Sequence, residues 1–171
     1  MKKKTNEQGF TSIYVIILMT VLLPFVIFVF VTFSHMVQNT IYFKNLSDNA
    51  ASSAVVCLNE QKLQDGIVFI NEEEAIAKAK TVIANELNLN PDLTVNSNSK
   101  IKENPNITIS VYNDVPEEGR VITTSLGKDI KIFKPSVVVV AEYPTLKITN
   151  VNATGTIKNI GVAGAEFLIN R

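Results

Sequence analysis

The sequence predicts an α+β protein. One long N-terminal transmembrane helix should extend into a small extracytoplasmic domain that holds a second helix and an antiparallel sheet. Three observations predict this. Between Phe10 and Phe33 there is no charged residue, and only Thr11, Ser12, Thr20, Pro24 and Thr32 break the apolar run. Residues 71–90 repeat apolar side chains at helical spacing behind a capping signal. After Pro91 the period shortens to two, as in strands with one covered face.

The apolar run, as a helix, covers roughly 36 Å at about 1.5 Å per residue, against a bilayer core about 30 Å thick. A secretory signal peptide has a shorter apolar core, about 7–15 residues, and a small-x-small exit. "FVTFSHMV" offers no such exit, so an anchor is the preferred reading. Lys2, Lys3 and Lys4 precede the run, and the nearest full charges after it are Lys44 and Asp48. Basic flanks stay in the cytoplasm, which places the N-terminus inside and the remainder outside the cell membrane in a single pass. The expected organisation is a basic cytoplasmic leader over 1–9, a transmembrane helix over 10–34, an extracytoplasmic continuation of that helix over 35–63, and an α+β domain over 64–171. Pro24 has no N–H to offer the carbonyl of Thr20, so a bend or a loosened turn is expected there.

From Ser34 to Leu63 there is neither Gly nor Pro, which supports the continuation. Phe43, Leu46, Ala50, Ala54 and Cys57 recur at spacings of three and four and make one stripe. The small residues of "NAASSAVV", among them Ala50, Ala51 and Ala54, would let another helix approach closely. Packing of the same stripe on the chain's own domain is the preferred alternative, because helices draw most of their stability from an internal partner. "QDGIVF" (64–69) reads as an Asp-Gly turn and a short strand. In "NEEEAIAKAKTVIANELNLN" Asn71 caps, Glu74 takes the capping-box position, and Glu72, Glu73 and Glu74 suit the positive end of the helix dipole. Ile76, Ala79, Ile83 and Leu87 are its expected buried face, Glu74 can pair with Lys78, and Pro91 is the stop signal. "ITISVYN" (107–113) alternates. "RVITTSL" and "DIKIF" flank Gly127-Lys128 as a hairpin. "SVVVVAEY" (136–143) is apolar on both faces and reads as a central strand. "TLKIT" and "NATGTIK" are candidate further strands, and the tail "GVAGAEFLINR" is weakly patterned.

Candidate sites for chemistry are sparse. The chain carries 16 basic and 16 acidic residues, and no basic patch stands out beyond the leader, so no nucleic-acid partner is expected. His35, the only histidine, falls at the membrane boundary and reads as a snorkelling interfacial residue. Cys57 is the only cysteine; with one Cys and one His, no standard zinc set assembles within the chain. On one straight helix these two would stand about 33 Å apart, too far for a nucleophile pair. The run "EEE" points in three directions on a helix, and "NDVPEEG" (113–119) lacks calcium-loop spacing. "NLS" (45–47), "NIT" (106–108) and "NAT" (152–154) match glycosylation acceptors, a tripeptide common by chance in an Asn-rich chain. No phosphate loop or Gly-x-Ser-x-Gly is present. The expectation is a non-enzyme without metal or cofactor.

Two stretches resemble known families. "EQGFTSIY" with the apolar run is similar to the type IV prepilin signal: a basic leader, Gly9, then Phe10 opening the hydrophobic segment. The resemblance implies cleavage between Gly9 and Phe10 by a prepilin peptidase. That family's acidic residue would fall at position 14, where this chain has Tyr14, so the resemblance points to a minor subunit or pseudopilin rather than a shaft subunit. "LLPFVIFVFV", "LSDNAASSAVVCLNE" and "INEEEAIAKAKTVIANELNL" resemble TadE/TadG-like proteins of bacterial tight-adherence pilus systems, on Leu23-Pro24, Asp48 through Ala54 and the later acid-then-Ala helix. Together they cover about the first 90 residues. The resemblance implies a pilin-like fold, and a surface-presented component of pilus or pseudopilus assembly. Its implied partners are the lipid bilayer and other pilin-like or assembly subunits, met through the N-terminal helix. The alternative from another class is a bitopic anchored binding or sensor module unrelated to pili. An anchored hydrolase is the third reading, with no residue to nominate.

Overall fold

The computed structural model describes residues 6–144 and 155–165, with side chains from residue 13 onward. The chain divides into two compact units, Met1–Asn39 and Thr40–Arg171. The described residues of the first unit are helical. The second is an α+β domain with a small antiparallel sheet. Helix α1 (Asn6–Val55) contributes to both units.

The helix stops at Val55, eight residues short of the expected 63. The reason is local competition. Cys57 N–H turns back to Ala54 O (3.1 Å), Asn59 N–H donates to Phe69 O (2.8 Å), and Leu58 forms an antiparallel bridge with Ile70. Asn59 then caps a new short helix, α2 (Glu60–Gln64), its side chain accepting from Lys62 N–H at 3.1 Å. Asn and other short polar residues compete with helical backbone bonds in this way. The expected strand after Asp65-Gly66 shrinks to that one bridge. Asn113 extends it: its amide accepts from Ile70 N–H (2.6 Å) and donates to Ile70 O (3.0 Å), standing in for a strand neighbour.

Helix α3 (Glu72–Leu87) starts where the sequence places it. Asn71 accepts from Glu74 N–H at 3.5 Å, and the Glu74 carboxylate accepts from the Asn71 amide at 3.4 Å. Its buried face is Ala75, Ala79, Ile83, Ala84 and Leu87; Ile76 is only half-buried, so the face is turned by a residue from the expected one. The alanines let this helix share a tight cluster with Ala50, Ala51 and Ala54. The helix ends before Pro91. Asn88 adopts the left-handed conformation (φ 53, ψ 46), and Leu89 N–H returns to Ala84 O at 2.8 Å. This is a Schellman closure with Asn in the glycine role.

The strands are β1 (Asn106–Tyr112), β2 (Arg120–Thr123), β3 (Asp129–Ile132), β4 (Ser136–Pro144) and β5 (Thr156–Gly164). One sheet runs β1-β4-β5 and a separate hairpin pairs β2 with β3, all antiparallel. β4 is central, as its two apolar faces require. Its odd residues Val137, Val139, Ala141 and Tyr143 join the helix-side core, and Val138 and Val140 join Ile122 and Ile132 of the hairpin. Gly127 (φ 71) makes the hairpin turn that the sequence marks. β5 takes in Gly161–Gly164, the start of the tail that carries no clear pattern. "TLKIT" and residues 152–154 of "NATGTIK" lie outside the described residues.

Candidate functional site

The first unit's defining surface is the apolar flank of α1. Every residue from 13 to 31 is exposed among the described residues. The helix is long and apolar enough to cross a membrane. Two of its hydroxyls are closed within the helix: Thr20 Oγ1 donates to Ile16 O (2.7 Å) and Thr32 Oγ1 to Phe28 O (2.8 Å). Back-bonding of this kind spares a polar group in apolar surroundings from needing an outside partner. Pro24 lies inside the helix, which continues through it. Gly9 and Phe10 sit on helical backbone near its start. Tyr14 is 66% exposed, and His35 is exposed as well.

The second unit uses the last turns of α1 differently. Phe43, Ala50, Ala51 and Ala54 are wholly buried in the domain's own core. The three alanines expected to admit another helix are therefore spent within the chain, and Cys57, half-buried, lies past the helix end. The Phe43 ring stacks on Tyr143 with centroids 4.5 Å apart and planes within 11°. Ser47 Oγ donates to Phe43 O (3.1 Å) and lies 3.2 Å from the Tyr143 hydroxyl. Burial pushes the Tyr143 phenol up to about 12. Gly161 of β5 completes the seat: a Cβ there would overlap the Ser47 carbonyl and stand 2.8 Å from Asp48 N. A glycine inside a strand is the sequence sign of such a close backbone approach.

At the surface of this unit, Tyr42 donates to Glu86 Oε1 (2.8 Å), which also receives Lys100 Nζ at 3.4 Å. Burial, then the Glu86 carboxylate, holds the Tyr42 phenol far above its ordinary range, and the Tyr42 hydrogen bond holds Glu86 below the usual carboxylate range. The cluster ties α1 to the last turn of α3. Burial, with Glu74 nearby, raises the Cys57 thiol and makes it a poorer nucleophile at neutral pH. Among the described residues, no three His, Cys, Asp or Glu side chains converge on a point where a metal could sit. Asn45 of the first acceptor tripeptide is exposed, but its Ser47 is buried in the helix seat; Asn106 and Thr108 of the second are exposed on β1. A polar depression lies where α3 ends, lined by Asn85, Asn88, Asn90, Asn96, Ser97 and Asn98. Sequence reading did not single it out, although the density of asparagine between 85 and 98 was its signal.

Comparison with protein-family models, with curated proteins and with solved structures finds no match.

Proposed function

We propose that this chain is a non-enzymatic, single-pass membrane component of a pilus or pseudopilus assembly system, of the minor-pilin or TadE/TadG-like kind. The observation that carries the reading is the bare apolar helix from 13 to 31, on a chain whose remaining α1 turns are built into a sheet domain. Lipid covers that flank first; other subunits' helices take its place on assembly. Moving a helix from lipid into a bundle changes little apolar contact, so close packing decides association. With Ala50, Ala51 and Ala54 inside the domain, the assembly surface is confined to the part of α1 before it. The N-terminus is cytoplasmic and the sheet domain is outside.

Two measurements test the proposal. Co-expression with a prepilin peptidase should lower the intact mass by residues 1–9, and Gly9→Leu should abolish the loss. A chain that keeps its full mass beside an active peptidase removes the pilin-type processing. A reporter fused after residue 171 should be active outside the cytoplasm, and a cytosolic reporter overturns the topology. Tyr14, in place of an acidic residue, favours a second reading: a bitopic anchored binding or sensor module that never enters a filament. That module would pass the topology test, keep residues 1–9, and give no cross-links to pilus subunits.

A further inference from the structure

We propose that the depression at the end of α3 is a binding site for a neutral oligosaccharide. Its wall combines the last turn of α3 with the 88–98 loop, and none of its lining residues carries a charge. That excludes the lysine or arginine an anion would require and the carboxylates a hard cation prefers. The two apolar residues of the lining, Ala84 and Leu89, are only 5% and 9% exposed, so no apolar anchor is offered to a peptide side chain. What remains is a set of amides and one hydroxyl. Each amide presents a donor and an acceptor side by side, the pattern that matches vicinal hydroxyls and acetamido groups.

The frame is already ordered. Asn96 Nδ2 donates to Asn88 O (3.0 Å) and lies 3.3 Å from Asn90 Oδ1; Ser99 Oγ donates to Asn88 O (2.9 Å); Asn90 Nδ2 donates to Thr94 Oγ1 (2.9 Å). These bonds satisfy the Asn88 carbonyl at the helix end and account for the Asn90 and Asn96 side chains. They do not account for the exposed Asn85, Ser97 and Asn98 around them. A fixed frame means that binding costs little ordering of the loop. The inference does not rest on pilus assembly, so its failure leaves that reading untouched.

The test uses the full-length chain in a zwitterionic detergent, which avoids sugar headgroups, with asparagine labelled by nitrogen-15. Chitotetraose and maltotetraose are titrated in turn, with inorganic phosphate and calcium as charged comparisons. The expected result is a saturable shift of the signals of Asn85, Asn88 and Asn98 with at least one neutral tetrasaccharide, and none there with phosphate or calcium. Asn85→Ala combined with Asn98→Ala should weaken that binding about tenfold, the loss of roughly two hydrogen bonds. Both residues are exposed, and an otherwise unchanged spectrum establishes that the variant is folded. The proposal is overturned by no saturation up to concentrations of order tens of millimolar, by shifts centred elsewhere, by a response to the ions instead, or by an unchanged affinity in the double variant.

Discussion

Gly161 shows how one residue can decide whether a helix and a sheet fit together. Its missing Cβ leaves room for the Ser47 carbonyl, and main chain cannot swing aside as a side chain can. Gly161→Ala should therefore cost about 1–3 kcal/mol in a denaturant titration, the range for forced overpacking. Gly164→Ala is the control: there a Cβ would meet only the Lys134 side chain, which can move, so the loss should be much smaller. Tyr143, on the strand paired with that of Gly161, gives a pH signature. Burial lifts its phenol to about 12 from 10.0. The unfolded chain thus loses that proton first as pH rises, and its contribution is whole below pH 10 and is lost as pH climbs toward 12. That is worth about 2–3 kcal/mol over the window. Tyr143→Phe should flatten the alkaline fall of stability, leaving the share due to Tyr42, whose phenol is also raised.

Among the elements, α3 and β4 were legible from the sequence because their signals are local. A cap, a run of acids and a helical period define the one, and two apolar faces the other. The end of α1 was not, and of β5 only the start was, where Thr156, Ile157 and Lys158 fall in the candidate strand "NATGTIK". Residues 56–59 have no breaker among them, and they leave the helix because Asn59 and Leu58 find partners at Phe69 and Ile70, a contact across the fold. β5 was obscured by Gly161 and Gly164, since glycine weakens a strand pattern although here its absence of side chain is what the packing needs. The end of α3 is the clearest case of one signal overriding another. Pro91 looks like the stop, but left-handed Asn88 already closes the helix. Hence Pro91→Ala should leave the helix content by circular dichroism unchanged. Asn88→Ala should cost about 1 kcal/mol for the left-handed backbone, and Asn88→Gly should match or exceed the parent in thermal stability. The candidate binding depression was illegible for a related reason: Asn85, Asn88 and Asn90 fall in the predicted helical stretch and Asn96 and Asn98 in the segment after it, and only the closed loop gathers them.

At the scale of the whole molecule, the two units divide the chemistry of the chain. Residues 13–31 expose apolar side chains only a non-aqueous neighbour can cover at low cost, whereas the domain from Thr40 buries its own core around β4. The domain should therefore tolerate changes that destroy the proposed anchor. Val21→Asp with Phe28→Asp puts two carboxylates on the bare flank, both at positions exposed in the chain itself (69% and 62%). Each charge costs about 2.5–3.5 kcal/mol at a helix centre in insertion, so two cancel most of the gain from the surrounding apolar residues of a single span. The double variant should lose its resistance to carbonate extraction from membranes. Its near-ultraviolet tyrosine dichroism, to which the Phe43–Tyr143 stack contributes, should stay close to that of the parent. A variant that remains in the membrane pellet would mean that something other than this helix holds the protein there. A variant that leaves the membrane but loses the aromatic signal would mean that the domain needs the anchor to fold.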